Sequence, residues 1–562
     1  MKYDKWNICP LRQTVASELT GHGIPPLPAL VLSARGCKTP DAAAAFLQHD
    51  TSLLHDPFLL RDMDKAVRRV RQAIDGDQVI CVYGDYDVDG ITSVCILHAV
   101  LSQLTDNLTW HIPSRFTEGY GLHNETIDKL REDGVDLIIT VDCGITSNRE
   151  VAYAQSLGMR MVVTDHHQLG DVLPDCITID PKQEDETYPF RDLAGCGVAY
   201  KLAQAIQRQA GLDRSAIVES LDLVASGTVA DIVPLVDENR TIVKYGLNKL
   251  NERSRKGLAA LEEAISLKTI TSGSISYGIA PHLNAAGRMK NAGEAVRLLL
   301  APEHDRATIR KQVETLIACN NQRKKLQDDA YRRSKEKITG EEAIICLRVD
   351  GIHEGIAGIA AGKLKEDFMR PVILATDTGD GILKGTGRSI DGVDLFSLLD
   401  GHRDLFARVG GHKRACGFTI SEENFRTLQP LLEEEVGQIY EADPSILDQT
   451  GMYDLEIGAE DVSLELAEAI RVMEPFGEAN EQPRFLVRGM QIRWPNYMGD
   501  SDRHVRFKAE KNGMRIPCVL FQKAQDYADQ IESEKPVDLI GTIEVNTWND
   551  RKEVQMIVKE IL

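Results

Sequence analysis

The chain carries no C-x-x-C pair among its eleven cysteines, which are scattered along its length. That spacing excludes a disulfide framework and a structural zinc site, and it predicts reduced thiols. Cys81, Cys95 and Cys346 sit in apolar text and read as small packed hydrophobes. No uninterrupted apolar run approaches the ~18 residues of a membrane span. The opening MKYDKWNICPLRQ lacks a basic start followed by an apolar run, so the expected compartment is the cytoplasm. Neither an internal repeat nor a low-complexity tract is present. Basic charge is also short: 65 Lys and Arg against 86 Asp and Glu give a net charge of −21. That deficit does not exclude a nucleic-acid partner. Binding follows the local field, and acids gathered around a metal are partly neutralised by it.

What is present is ordinary globular text, 43% hydrophobic and 27% charged, over 562 residues. Single cores rarely grow past about 250–300 residues, so several domains are expected. Residues 1–76 read as an N-terminal extension: a short extended start, a Pro-rich stretch over 24–30, then helical text over 66–74. From Val79 apolar runs alternate with amphipathic stretches: VICVYG, ITSVCILHAVLSQL, DLIITVDCG, REVAYAQSLG, RMVVTDHH. That rhythm is βαβαβ and predicts a parallel α/β catalytic domain over 77–300, with ligands beyond the carboxyl ends of its strands. The segment from about Pro302 to Lys337 is charged and free of internal Pro and Gly, with Ile309, Val313, Leu316 and Ile317 in a helical stripe, and 301–340 reads as a bridging helix. A second α/β domain over 341–450 holds strand candidates at 343–349 and 371–376 around the helix GIAGIAAGKL. The tail, 451–562, alternates in short runs such as RHVRFKAE and VDLIGTIEV and predicts an antiparallel OB-like barrel.

Four blocks carry chemistry. Gly84-Asp85-Tyr86-Asp87-Val88-Asp89-Gly90 places three carboxylates on the turn leaving a strand. Carboxylates at i and i+2 can converge on a hard cation, and Gly90 permits a sharp bend, although a plain N-capped turn reads the same way. Asp142 ends the strand LIITV, Asp165-His166-His167 ends RMVV, and Asp231 stands in the apolar text Gly227-Thr228-Val229-Ala230-Asp231-Ile232-Val233-Pro234. One such residue is commonly a cap or a satisfied core group. Several on successive strand ends form a ligand set. Carboxylates with imidazole and no thiolate suit Mn²⁺ or Mg²⁺, and two such ions can clamp the oxygens of an in-line phosphoester displacement. The remaining histidine is placed to steady phosphoryl oxygens or protonate a leaving group.

Asp87-Val88-Asp89-Gly90, Val141-Asp142-Cys143-Gly144, Asp165-His166-His167 and Gly227–Pro234 resemble the successive motifs of the DHH phosphoesterase superfamily. Further matches are His282-Leu283-Asn284-Ala285-Ala286-Gly287-Arg288-Met289, His353-Glu354-Gly355, Gly385-Thr386-Gly387-Arg388-Ser389 and Gly410-Gly411-His412. With Glu474-Pro475-Phe476-Gly477 and the closing Asn546-x-Trp548, they resemble the bacterial RecJ single-strand DNA exonucleases from about residue 20 onward. Two positions depart from that pattern: Ile352 replaces an aromatic residue and Gly362 replaces a frequent serine, which touches substrate contacts and not the metal chemistry.

The resemblance implies a DHH domain, a DHHA1-type domain and an OB-fold. It implies 5′→3′ hydrolysis of single-stranded DNA to 5′-mononucleotides in repair and recombination, with Mn²⁺ or Mg²⁺ as two ions. Asp85, Asp87, Asp89, Asp142, His166 and Asp231 become the metal set, with Asp87, Asp142 and His167 at the chemistry and Asp165 orienting a histidine from behind. Arg115 and Arg288 become candidates for a terminal 5′ phosphate, and Asn284, His353, Arg388, Ser389 and His412 for other substrate contacts. The 385–389 text reads as a Gly-rich loop whose N–H groups approach phosphate. In the barrel, Trp494, His504, Arg506, Phe507, Lys508 and Trp548 are stacking and basic candidates, beside a reading of the aromatics as plain core. The basic text Arg323-Lys324-Lys325 and Arg332-Arg333 reads as a solvated helix face or a DNA path. The partners implied are single-stranded DNA, a single-strand-binding protein and a helicase, with no membrane. Two other readings stand beside this one. A small-substrate phosphodiesterase would need no barrel, and a non-catalytic scaffold would have lost ligands.

Overall fold

The computed structural model describes residues 5–48, 51–379, 381–448, 450–499, 502–548 and 551–562, without the side chains of 51, 547, 548 and 551. Candidate Trp548 therefore lies outside the described side chains. Two compact units form. One holds Met1–His49, Glu435–Phe476 and Glu481–Leu562; the other holds Asp50–Glu434 and Gly477–Asn480. The segment read as a single 1–76 extension is thus divided between them. Its first strand, β1 (Lys5–Ile8), pairs in parallel with Thr450–Tyr453, which draws the start of the chain into the unit of its end. The Pro-rich stretch begins a helix, Pro26–Ala34, because Pro26 occupies its first turn, where a missing N–H costs nothing.

In the larger unit, β2 (Val79–Tyr83), β3 (Leu108–His111), β4 (Val135–Val141), β5 (Arg160–Thr164) and β6 (Ile177–Ile179) form a parallel sheet in the order β3-β2-β4-β5-β6. The short β3 and β6 have too little periodic text to be read from sequence. Ile80, Val82, Leu137 and Ile139 face the Val88–Leu101 helix, while Cys81, Tyr83, Ile138 and Val163 face the helices Asn124–Glu132 and Asn148–Ser156. Burial on both faces is why these strands read as continuous apolar runs. Because β3 and β4 flank β2 on opposite sides, the strand order reverses there. Such a reversal opens a crevice at the carboxyl ends of β2 and β4.

The helices Gly195–Ala210, Leu221–Ala230 and Asp237–Glu252 follow. The expected bridging helix spans Arg306–Lys335 and buries Ile309, Val313 and Leu316, as its stripe predicts. Beyond it, β7 (Ile345–Arg348), β8 (Val372–Asp377), β9 (Ile382–Arg388), β10 (Phe406–His412) and β11 (Ala415–Ser421) form a mixed sheet in the order β10-β11-β9-β8-β7. Most of the 385–389 text is therefore strand and not loop, paired on both sides with β8 and β11. Its glycines make room for neighbours. A Cβ on Gly385 would lie 2.0 Å from the Phe418 ring, and one on Gly387 would lie 2.4 Å from the Cys416 sulfur.

In the smaller unit, β12 (Thr450–Tyr453), β13 (Leu455–Glu456), β14 (Arg484–Met498), β15 (His504–Lys511), β16 (Met514–Leu520), β17 (Val537–Trp548) and β18 (Arg551–Ile561) follow. The sheet runs β13-β14-β15-β16-β18-β17, and β14 also pairs with β17, which closes an OB-type barrel. Phe507 is 2% exposed in the barrel core, so it is not a stacking surface. Trp494 is 60% exposed with the Arg515 guanidinium 5.0 Å from its ring, and Arg506 and Lys508 are exposed on β15. All eleven cysteines are free thiols. Among the described residues no helix is long and apolar enough to cross a membrane.

Candidate metal centre

The acids and histidines gather at the crevice of the parallel sheet. Asp85, Asp87 and Asp89 follow β2, Asp142 follows β4, and His166 and His167 follow β5. Asp231 arrives from the end of the Leu221–Ala230 helix. Ligand atoms converge to within 4.8 Å in three overlapping groups: Asp85 with Asp87 and Asp142; Asp89 with His166 and Asp231; Asp142 with His166 and His167. At the centre, His166 Nε2 lies 3.2 Å from Asp142, 3.6 Å from Asp231 and 3.7 Å from Asp89.

Local backbone dictates this approach. Asp87 caps the Val88–Leu101 helix by accepting the Gly90 N–H at 3.1 Å, so the cap and the ligand candidate are one residue. Gly90 itself is helical. Its absent side chain matters because a Cβ there would lie 2.4 Å from the Asp85 carbonyl oxygen. Asp142 holds a left-handed backbone, φ 60°, a costly conformation for a residue with a side chain and one found preferentially at functional sites. Asp89 accepts the N–H groups of Gly195 at 2.6 Å and Cys196 at 2.8 Å, at the start of the Gly195–Ala210 helix. A Cβ on Gly195 would lie 2.6 Å from that of Asp142. The Asp89 contacts span more than a hundred residues of sequence, and no local pattern announced them.

The electrostatics call for a cation. Burial, and then the charge of Asp87, raise the Asp89 carboxyl to about 6. Asp231 rises to about 8 through burial and the charges of Asp89 and Asp87, and Asp142 is pushed well above the usual carboxylate range by burial and its acidic neighbours. His166 is held neutral: burial, then the charge of His167, lowers it to about 3. Among the described residues neither ring nitrogen has a partner in good hydrogen-bond geometry, the Leu193 main chain giving only weak support to the charged form. Asp85 Oδ1 is likewise buried without a partner. Crowded carboxylates beside a neutral, unengaged imidazole match the donor set of a hard divalent ion.

Asp165 is arranged differently. Its Oδ1 accepts the N–H groups of His166 at 2.7 Å and His167 at 3.2 Å and meets His167 Nδ1 at 2.7 Å, while Oδ2 accepts the Ile145 N–H at 2.9 Å. Burial opposes charge on His167, but the Asp165 hydrogen bond and charge outweigh it and raise the imidazole to about 9.

Basic side chains gather beside these groups. Arg115 stacks 3.9 Å over the Tyr86 ring, and its Nε is buried without a partner. Arg288 bonds the Gly355 carbonyl at 3.2 Å; burial and the nearby charge of Arg115 lower its pKa to about 10. Arg388 bonds the Gly387 carbonyl at 2.7 Å and is lowered by burial and by Arg115. His412 is lowered by burial, then by Arg388 and His167. Cations that oppose one another in this way provide a site for an anion. His353 caps the Glu354–Phe368 helix and meets the Phe116 ring edge-on at 5.4 Å. Asn284 accepts the Val88 N–H at 3.1 Å and so braces the Asp87–Asp89 turn. Ser389 departs from expectation: its hydroxyl is buried and donates to the Val393 carbonyl at 2.8 Å, out of reach of a substrate. Ile352 lies in the core with Val349 and Ile356, and a Cβ on Gly362 would meet nothing within 4 Å, so a serine would fit there.

Sequence reading passed over Tyr120, whose hydroxyl stands 3.4 Å from His167 Nδ1, and Lys182, whose ammonium donates to the His166 carbonyl. It also missed Glu118, which holds the Arg115 loop by accepting the Ser114 N–H at 2.9 Å and the Thr126 hydroxyl at 2.5 Å.

Residues 79–228 match the DHH family N-terminal domain, 341–438 the DHHA1 domain and 453–560 the RecJ OB domain. The single-stranded-DNA-specific exonuclease RecJ of Bacillus subtilis is 35% identical over 99% of this chain and 70% of its own length. That of Escherichia coli is 33% identical over 89% of this chain and 90% of its own. The crystal structure of RecJ with Mn²⁺ from Thermus thermophilus superposes with a TM-score of 0.84 at 28% identity, covering 99% of this chain and 79% of that one. The Mg²⁺ complex gives a TM-score of 0.78 at 27% identity, covering 99% and 78%. With its DHH domain, its DHHA1 domain and its barrel all matched, the chain belongs to the RecJ family of DHH phosphoesterases.

Proposed function

We propose that this protein is a metal-dependent exonuclease that hydrolyses single-stranded DNA 5′→3′, releases 5′-mononucleotides, and serves DNA repair and recombination in the cytoplasm. The observation that carries the reading is the juxtaposition, within one unit, of an acid–imidazole cluster short of cations and a group of mutually repelling arginines short of an anion. Its relatives are named single-stranded-DNA-specific exonucleases, and two solved relatives hold Mn²⁺ or Mg²⁺. Asp85, Asp87, Asp89, Asp142, His166 and Asp231 are assigned as the residues that would hold two such ions. When bound, those ions supply Lewis-acid polarisation of the phosphoryl group and lower the pKa of a water nucleophile.

The protein's own groups do the rest. Asp165 fixes His167, which is charged and able to hold a phosphoryl oxygen or deliver a proton to the departing 3′ oxygen. Arg115, Arg288 and Arg388 hold the terminal 5′ phosphate, with His353 and His412 beside it. Residues 77–300 form the catalytic domain, 341–450 the domain that grips the terminal nucleotide, and 451–562 the single-strand-binding barrel, through Trp494, His504, Arg506 and Lys508. A single-strand-binding protein and a helicase are the protein partners this role implies. A small-substrate phosphodiesterase would not need the barrel, and a scaffold would not keep the ligand set. The test compares label release from a 5′-end-labelled and an internally labelled single strand early in digestion. Prompt loss of the 5′ label supports the reading; equal rates of loss overturn it.

A further inference from the structure

We propose that Asn239 is a positioning residue that sets the distance between Asp231 and Asp89, and that it thereby controls divalent-metal affinity. The inference rests on the metal reading above. Asn239 is 0% exposed, in the first turn of the Asp237–Glu252 helix. Its Nδ2 donates to two main-chain carbonyls, that of Asp192 at 2.6 Å and that of Pro234 at 3.1 Å. Both partners are acceptors, so only the amide end of the side chain can face them.

The two carbonyls belong to segments that carry different parts of the cluster. Pro234 lies three residues after Asp231, on a connection that turns through the left-handed Ile232, φ 61°. Asp192 lies three residues before Gly195, whose N–H, together with that of Cys196, binds Asp89 and whose bare Cα packs on Asp142. One buried amide therefore ties the Asp231 connection to the segment that fixes Asp89. The far end of the connection is held separately, by the Leu235 N–H on the Glu478 carbonyl at 2.8 Å. Without Asn239, the Asp192 and Pro234 carbonyls lose this shared donor, and the Asp231 connection is no longer tied to the segment that fixes Asp89 through it. Asp231 and Asp89 belong to the same ligand group, so a shift in their separation loosens that group directly.

The experiment measures Mn²⁺ binding to the full chain by the electron paramagnetic resonance signal of free Mn²⁺. It compares wild type, Asn239→Ala, the milder Asn239→Ser, and Val243→Ala, a buried cavity on the same helix that touches neither carbonyl. Each protein is held below the midpoint of its own thermal melt. The expected result is Mn²⁺ affinity weakened about 10–100-fold in Asn239→Ala, the range for loss of an outer partner of a metal site. A smaller loss is expected in Asn239→Ser and none in Val243→Ala. Wild-type affinity in a folded Asn239→Ala or Asn239→Ser, or an equal loss in Val243→Ala, overturns the inference. No Mn²⁺ uptake by wild type overturns the metal reading itself, and the inference with it.

Discussion

Asp165 meets His167 at 2.7 Å between Oδ1 and Nδ1, and the same oxygen accepts the main-chain N–H groups of both histidines. The carboxylate is therefore occupied with aligning His167, and its neighbour Asp142 is left free to face the cluster. In Asp165→Asn the amide keeps an acceptor but loses the charge that raises His167. Activity should fall about 10–100-fold, as for other partners that orient a metal-site histidine, with little loss of Mn²⁺ binding. Steady-state kinetics beside Mn²⁺ titration check this. Loss of metal binding as complete as in Asp142→Ala would place Asp165 among the ligands.

Glu118 gathers the Ser114 N–H, the Thr126 hydroxyl and His111 around one carboxylate, and so shapes the loop that carries Arg115. Glu118→Ala should raise KM for a 5′-phosphorylated single strand about tenfold, the worth of one charge-assisted hydrogen bond, with kcat little changed. The preference over a 5′-hydroxyl strand should shrink with it. An unchanged preference would separate the loop from phosphate recognition.

Arg388 and Ser389 are adjacent in sequence and opposite in consequence. Ser389→Ala removes a buried hydrogen bond to Val393 and should cost about 1 kcal/mol of stability while leaving activity per folded molecule intact. Arg388→Ala should do the reverse, raising KM without lowering the melting temperature. Thermal melts and kinetics on the same two variants test the pair.

Glu262 is 1% exposed, and Arg253, 3.4 Å away, spends its guanidinium on the Leu267 and Lys268 carbonyls. Burial therefore prevails and raises the Glu262 carboxyl to about 7. A folded pKa raised above the unfolded value gives stability that is full below about pH 4.5 and is lost as pH rises through about 7. Glu262→Gln should melt higher than wild type at pH 8 and nearly with it at pH 4. A variant that melts lower at pH 8 would show that the ion pair with Arg253 outweighs burial.

The parallel sheet was legible because buried strands write continuous β-branched runs. Asp85, Asp142 and the Asp165–His167 block were legible because they follow such runs, while Asp231 showed only as an isolated acid in apolar text at the end of a helix. Asp165 was set apart from the candidate ligands by the family resemblance, and its hydrogen bonds to the two histidines fit that reading. The strand over 382–388 was misread because Gly-Thr-Gly-Arg resembles a phosphate loop, while the cause of its glycines, the Phe418 ring and Cys416, lies some thirty residues on. Asn239 reaches the Asp192 carbonyl 47 residues away and the Gly195 N–H reaches the Asp89 carboxylate 106 residues away, and such pairs leave no local pattern. The placement of the N-terminal strand against Thr450–Tyr453 was hidden for the same reason.

The most direct test of the account is digestion of long single-stranded DNA, duplex DNA and short RNA with Mn²⁺, with Mg²⁺ and with chelator, beside Asp142→Ala. The account predicts release of 5′-mononucleotides from single-stranded DNA alone or first, abolished by chelator. In Asp142→Ala it predicts a fall beyond the about 10–100-fold that loss of an outer partner costs. Cleavage that survives chelation, or full activity in Asp142→Ala, would contradict it.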